Sequence, residues 1–151
     1  MSLKAQLQDD MKSAMRTRDK ERLGVIRMLL AAIKQREVDQ PADNRSELSD
    51  ADVLAVIEKM VKQRRDAQQQ YREADRAQLA DAETAEIAVL ENYLPAQLSD
   101  AQIDQAVETA ITDSQASSMR DMGQVMGLLK SRLQGQADMG VVSQRLKARL
   151  Q

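Results

Sequence analysis

Leu90-Glu91-Asn92-Tyr93-Leu94-Pro95-Ala96-Gln97-Leu98-Ser99 ends one helix, turns at a proline and opens another helix within ten residues. Pro95 has no amide hydrogen to donate, and its ring pushes Leu94 away from helical geometry. Ser99-Asp100-Ala101-Gln102 then has capping-box spacing, and Leu98 can staple to Ile103. So sharp a joint divides the chain into two helical blocks, residues 1–94 and 95–151. The fold class this implies is all-α.

Upstream of the joint the apolar spacing predicts four helices paired as antiparallel hairpins. Leu3, Leu7, Met11 and Ala14 make one stripe, opening at about Ser2. A second helix from about Asp19 to Glu37 carries two adjacent seams, Leu23/Ile26/Leu30/Ile33 and Val25/Leu29/Ala32, wide enough for more than one neighbour. Asp39–Glu47, with Pro41 and Asn44, reads as a loop. Ser49 caps the third helix, where Val53, Ile57, Met60, Arg64, Ala67 and Tyr71 follow a bundle seam that Arg64 interrupts. The fourth, from about Asp75 to Leu94, carries Leu79, Ile87, Leu90 and Leu94.

Downstream lies a small three-helix block. Ile103, Val107 and Ile111 mark the inner face of the fifth helix, and Ser114–Ser118 is a polar connector. Met119, Met122, Met126, Leu129 and Leu133 form the stripe of the sixth. Gly135 ends it, Asp138 caps the seventh, and Val142, Leu146 and Leu150 complete the core. A block of this size has a marginal core.

Composition narrows the function classes. There is no Cys and no His, so thiol nucleophiles, disulfides, Cys-ligated zinc and the usual general base near neutral pH are all absent. No catalytic residue, metal or cofactor is expected. No apolar run approaches the roughly 20 residues of a membrane span, and the polar, mixed-charge start does not read as a signal peptide. A reduced, cytoplasmic setting is the expectation. The net charge is −2, distributed unevenly. Residues 1–40 hold nine bases against six acids, 41–94 seven against twelve, and 95–151 six against six. Any RNA contact must therefore come from a local patch, and two Tyr residues supply almost no stacking surface.

Three constellations stand out. Gly123 and Gly127 lie inside the sixth helix, bracketed by Arg120 and Lys130. Each glycine costs roughly 1 kcal/mol against alanine, so something should compensate. Close approach of the seventh helix is the ordinary account; close approach of an RNA backbone, with Arg120 and Lys130 on phosphates, is the functional one. Lys62, Arg65 and Arg72 share one face of the third helix, which reads first as a solvated, ion-paired surface. Arg27 and Arg64 interrupt apolar runs, and Glu83 and Glu86 are their expected partners inside the bundle.

The YLPxQLS joint, Asp121-Met122-Gly123-Gln124-Val125-Met126-Gly127 and Gly135-Gln136-Ala137-Asp138 together resemble the GatB/YqeY family. The first block continues the resemblance through Leu23–Leu30, Lys62–Asp66, Tyr71, Arg76, Leu79, Ala80, Glu83 and Glu86. The second block looks like the tail domain of the B subunit of tRNA-dependent amidotransferases. In that pattern a lysine usually follows Asp-Met-Gly, where this chain has Gln124. The resemblance implies a stand-alone YqeY-like protein, linked to carbon–nitrogen ligation with glutamine as amide donor and acting as a non-catalytic, tRNA-associated accessory. Arg120, Gly123, Gly127 and Lys130 are the tRNA-binding candidates, with Lys62, Arg65 and Arg72 as a secondary basic face. The implied partners are tRNA and an amidotransferase or aminoacyl-tRNA synthetase. The alternative is a protein-interaction module that docks on a tRNA-handling enzyme without touching RNA.

Overall fold

A computed structural model describes residues 1–151 and contains helices and turns only: α1 (Leu3–Thr17), α2 (Lys20–Val38), α3 (Asp50–Glu73), α4 (Ala77–Glu91), α5 (Asp100–Ser114), α6 (Met122–Leu133) and α7 (Met139–Leu150). Single 3₁₀ turns occupy Ala42–Asn44 and Met119–Asp121. The chain divides into two compact units, Met1–Leu94 and Pro95–Gln151. No helix is long and apolar enough to cross a membrane.

Local chemistry sets the helix ends. Ser2, Asp19, Ser49, Ser99 and Asp138 each accept a backbone N–H of the first turn that follows. Such a cap is worth about 0.5–2 kcal/mol, because first-turn amides have no partner inside the helix. At Ser99 the box closes both ways: Gln102 N–H donates to Ser99 Oγ at 3.2 Å, and Ser99 N–H donates to Gln102 Oε1 at 2.9 Å. Gly135 leaves α6 with φ 77°, a left-handed turn that suits glycine.

In the first unit Leu7, Val25, Leu29, Ile33, Val53, Ile57 and Leu90 are almost fully buried in one cluster. Arg64 crosses this bundle. Its Nε donates to Glu86 at 2.8 Å, tying α3 to α4. Arg27 does not behave likewise. It is exposed on α2, because the buried positions Val25, Ile26, Leu29 and Ile33 leave residue 27 on the opposite side of the helix. Glu83 binds neither arginine, and one of its carboxylate oxygens is buried without a hydrogen-bond partner.

Three further expectations are corrected. The fourth helix is shorter, Ala77–Glu91, because Asp75 takes a left-handed conformation (φ 59°) before it begins, and the backbone after Leu90 closes through i→i+3 bonds at Tyr93 and Leu94. Leu79 is 41 % exposed, since the inner stripe of α4 runs through Ala80, Ile87 and Leu90, one residue out of phase with it. Met119 lies in the 3₁₀ turn and is exposed, so the inner face of α6 is Val125, Leu129 and Leu133, with Met122 and Met126 at its margin.

The exit of the first unit is fastened by Tyr93, whose hydroxyl donates to Asp10 Oδ2 at 2.5 Å while Asp10 faces Arg22 at 3.6 Å. Helices α1 and α2 and the segment after α4 meet at this one carboxylate. In the second unit α5 and α7 run parallel, as successive pairs show: Arg145 with Asp104, then Arg149 with Glu108 four residues on in both helices. The antiparallel α6 completes the three-helix core of Ile103, Val107, Val125, Leu129, Val142 and Leu146.

Candidate nucleic-acid interface

All six acids of the second unit are engaged. Asp100 and Asp104 hold Arg145 at 3.2 and 2.8 Å, Glu108 holds Arg149 at 3.3 Å, and Asp113 holds Arg132 at 2.9 Å. The hydrogen bonds that Arg145 donates to Asp104, with the charges of both carboxylates, keep its guanidinium above its ordinary pKa. Asp121 accepts the backbone N–H groups of Ser117 and Ser118 at 2.9 and 3.3 Å, which hold its carboxyl below the usual range. Asp138 caps α7 by accepting Gly140 N–H at 2.8 Å. Three arginines are thus neutralised along α5. Arg120, Lys130 and Lys147 make no ion pair, and all three are exposed.

Helix geometry groups these charges. Arg132 marks the side of α6 that faces α5. Gly123, Gly127 and Lys130 lie about 140–200° around the helix from it. Lys147 is two residues from both Arg145 and Arg149, hence about 200° from the side of α7 that faces α5. Both helices therefore turn arginines toward α5 and bare lysines away from it. The opposite flank of the α6–α7 pair carries Lys130 and Lys147 without an ion pair, and Arg120, whose charge acts on the adjacent Asp121, stands at its start.

The glycines on this flank are not explained by packing. A Cβ at Gly123 or Gly127 would meet no heavy atom within 4 Å, so close approach of α7 is not what they serve. Gly123→Ala and Gly127→Ala are each expected to stabilise the second unit by about 0.5–1 kcal/mol through helix propensity and a less flexible unfolded chain. Denaturant unfolding of the two variants measures this. A loss of stability would restore a packing role.

Lys62, Arg65 and Arg72 are exposed on α3, but the Arg65 guanidinium is paired with Glu91, which makes that face a partly neutralised one. No group of three or more His, Cys, Asp or Glu is arranged to hold a metal ion. Lys147 is not singled out by sequence, because it sits on a different helix from the glycines. A signal for it exists there all the same, an exposed base half a turn off a stripe of arginines.

The family model for YqeY-like proteins matches residues 4–150. Among curated proteins, altered inheritance of mitochondria protein 41 of Lachancea thermotolerans is 33% identical over 76% of this chain and 60% of its own length. The protein of the same name in Pyrenophora tritici-repentis is 29% identical over 87% of the chain and 71% of its own length, and that of Kluyveromyces lactis 34% over 75% and 60%. The chain thus spans about 60% of the length of the first and third of these relatives. All three carry a mitochondrial designation, which overturns the cytoplasmic setting expected from composition. The physical reason for the error is plain: a chain without cysteine bears no mark of its redox compartment.

Proposed function

The chain belongs to the YqeY-like family, and from that premise we propose that it is a non-catalytic accessory protein that binds tRNA through the α6–α7 flank of its second unit. One observation carries this reading. Arg120, Lys130 and Lys147 are left unpaired around two exposed glycines whose space nothing in the chain fills. Lysine and arginine neutralise phosphates and release counterions, while glycine lets a sugar-phosphate backbone approach the helix without a side chain between. The likeness of the second block to the amidotransferase tail domain supplies the wider setting. In that setting the protein presents tRNA to an amidotransferase or an aminoacyl-tRNA synthetase, and the ligation chemistry belongs to the enzyme.

The test is a binding titration of folded tRNA at several salt concentrations. Replacing Arg120, Lys130 and Lys147 by Gln should lower the slope of log affinity against log salt by roughly two units, since each lost phosphate contact removes about 0.7–0.9. Unchanged slope and affinity would sink the reading. A second reading, docking on a tRNA-handling enzyme without RNA contact, is favoured by the exposed Met119 and Val141 of the same unit. It requires salt-insensitive binding to that enzyme and none to tRNA.

A further inference from the structure

The first unit carries a further basic surface, of which the family resemblance covers only Gly24 and Arg27. Lys20, Gly24, Arg27, Ala31 and Lys34 recur along α2 at four-three-four-three spacing, so they form one stripe. All five are exposed. None of the three bases is held by a hydrogen bond or ion pair within the chain. No acid stands three or four residues from Lys20 or Arg27, the positions from which a helical ion pair would form. Lys34 has Glu37 one turn on, but that carboxylate already accepts Lys4 Nζ at 3.0 Å and the Leu48 N–H at 3.0 Å.

An ordinary solvated helix face mixes signs, as the outer face of α3 does with Lys59, Lys62, Asp66 and Glu73. The α2 stripe has one sign and small residues between its charges. Gly24 is a third helical glycine with nothing within 4 Å of a Cβ, so again packing gives it no role. The same arrangement, glycine bracketed by bases about one turn to either side, therefore occurs on both units: Lys20–Gly24–Arg27 here, and Arg120–Gly123 with Gly127–Lys130 on α6.

We propose that the outer stripe of α2 is a docking surface for the phosphate backbone of double-helical RNA, separate from the α6–α7 flank. The charge spacing fits a regular polyanion. Lys20, Arg27 and Lys34 stand seven residues apart, about 10.5 Å along the axis. A row of like charges at equal intervals complements a polyanion whose charges also repeat along its axis. An acidic protein helix is the rival occupant. Stable protein docking needs apolar or aromatic surface at its centre, and here only Gly24 and Ala31 lie between the bases, with a single exposed methionine, Met28, at the margin. Backbone binding draws its free energy from counterion release and needs no such surface. Unpaired RNA is disfavoured because neither tyrosine lies on α2 to stack a base.

The experiment titrates the full chain with a short RNA hairpin duplex at low and moderate salt. Two α2 variants are compared with the Arg120, Lys130 and Lys147 variant, with circular dichroism and thermal unfolding as checks on folding. The triple variant Lys20→Gln, Arg27→Gln, Lys34→Gln should bind at least about tenfold more weakly at low salt, with the salt slope reduced by roughly two units. Gly24→Leu keeps every charge and raises helix propensity, yet should weaken binding several-fold by holding the backbone off. If the triple variant keeps the wild-type slope while the Arg120, Lys130 and Lys147 variant loses it, the α2 inference falls and the α6–α7 reading stands. If the wild-type chain binds no hairpin, the α2 inference falls, and the tRNA titration decides the α6–α7 reading. If it binds an alanine-rich helical peptide carrying spaced glutamates through the stripe in preference to the hairpin, the occupant is an acidic protein and the inference is overturned.

Discussion

Leu146→Ala should unfold the second unit and leave the first intact. Leu146 is fully buried on α7, inside a cluster of only nine buried residues that also holds Leu129, Val125 and Val107. Truncating a buried leucine costs about 2–5 kcal/mol, from lost transfer energy and the cavity that remains. A unit of this size has a total stability of the same order, at about 0.05–0.15 kcal/mol per residue. The deletion is therefore comparable to the whole. Ile57→Val in the larger first unit removes one methylene and should cost only about 0.5–1.5 kcal/mol, with no loss of fold. Hydrogen exchange reads the contrast. Amides of α5, α6 and α7 should lose protection in Leu146→Ala while those of α1 to α4 keep theirs. Simultaneous loss across both units would mean that they fold as one cooperative body.

The parts of the fold that are legible in the sequence are those decided within a few residues. Ser49, Ser99 and Asp138 cap their helices through bonds spanning two or three positions, and Gly135 ends α6 by its own backbone freedom. Apolar periodicity marks the seven helices for the same reason: each inner stripe repeats every three or four residues. What sequence misjudges depends on distant partners. Arg27 and Arg64 both interrupt apolar runs and look alike in sequence. Only Arg64 has a carboxylate, Glu86, 22 residues away and within reach. Met119 and Leu79 look inward-facing only when a stripe is extended beyond the turn that breaks its phase.

The candidate interface shows the same division. The glycines and their bracketing bases are visible as a motif, since they lie on one helix. Which bases remain free is not, because Arg145 meets Asp104 across 41 residues of sequence and Arg149 meets Glu108 beside it. A net charge of zero over the second block hides a sorted arrangement, with acids on α5 and unpaired bases on the far flank of α6 and α7. Counting charges cannot reveal sorting. Only the pairing does, and the α2 stripe emerges by the same test.

Raising the pH from 10 to 12 should remove stability from the first unit through Tyr93. Burial, then the hydrogen bond to Asp10 and its negative charge, push the phenol up from 10.0 to about 12. The protonated hydroxyl is the form that donates to Asp10, and ionising it would set two anions 2.5 Å apart. A group whose folded pKa lies above its unfolded value contributes stability that is fully present below the unfolded pKa. Here that is below about 10, and the contribution disappears as pH rises through about 12. A rise of this size corresponds to at most about 2–3 kcal/mol, and solvent screening at a half-buried ring lowers it further. Tyr93→Phe lacks the ionisable group. It should be less stable than wild type near neutral pH by about 1–3 kcal/mol, the range for a hydrogen bond to a charged acceptor. Between pH 10 and 12 the two proteins should converge, because wild type alone loses the Tyr93 contribution while lysine titration is common to both. Urea unfolding at intervals from pH 8 to 12 measures the gap. Parallel curves across that window would show that the hydroxyl of Tyr93 is not holding α1 to the exit of the first unit.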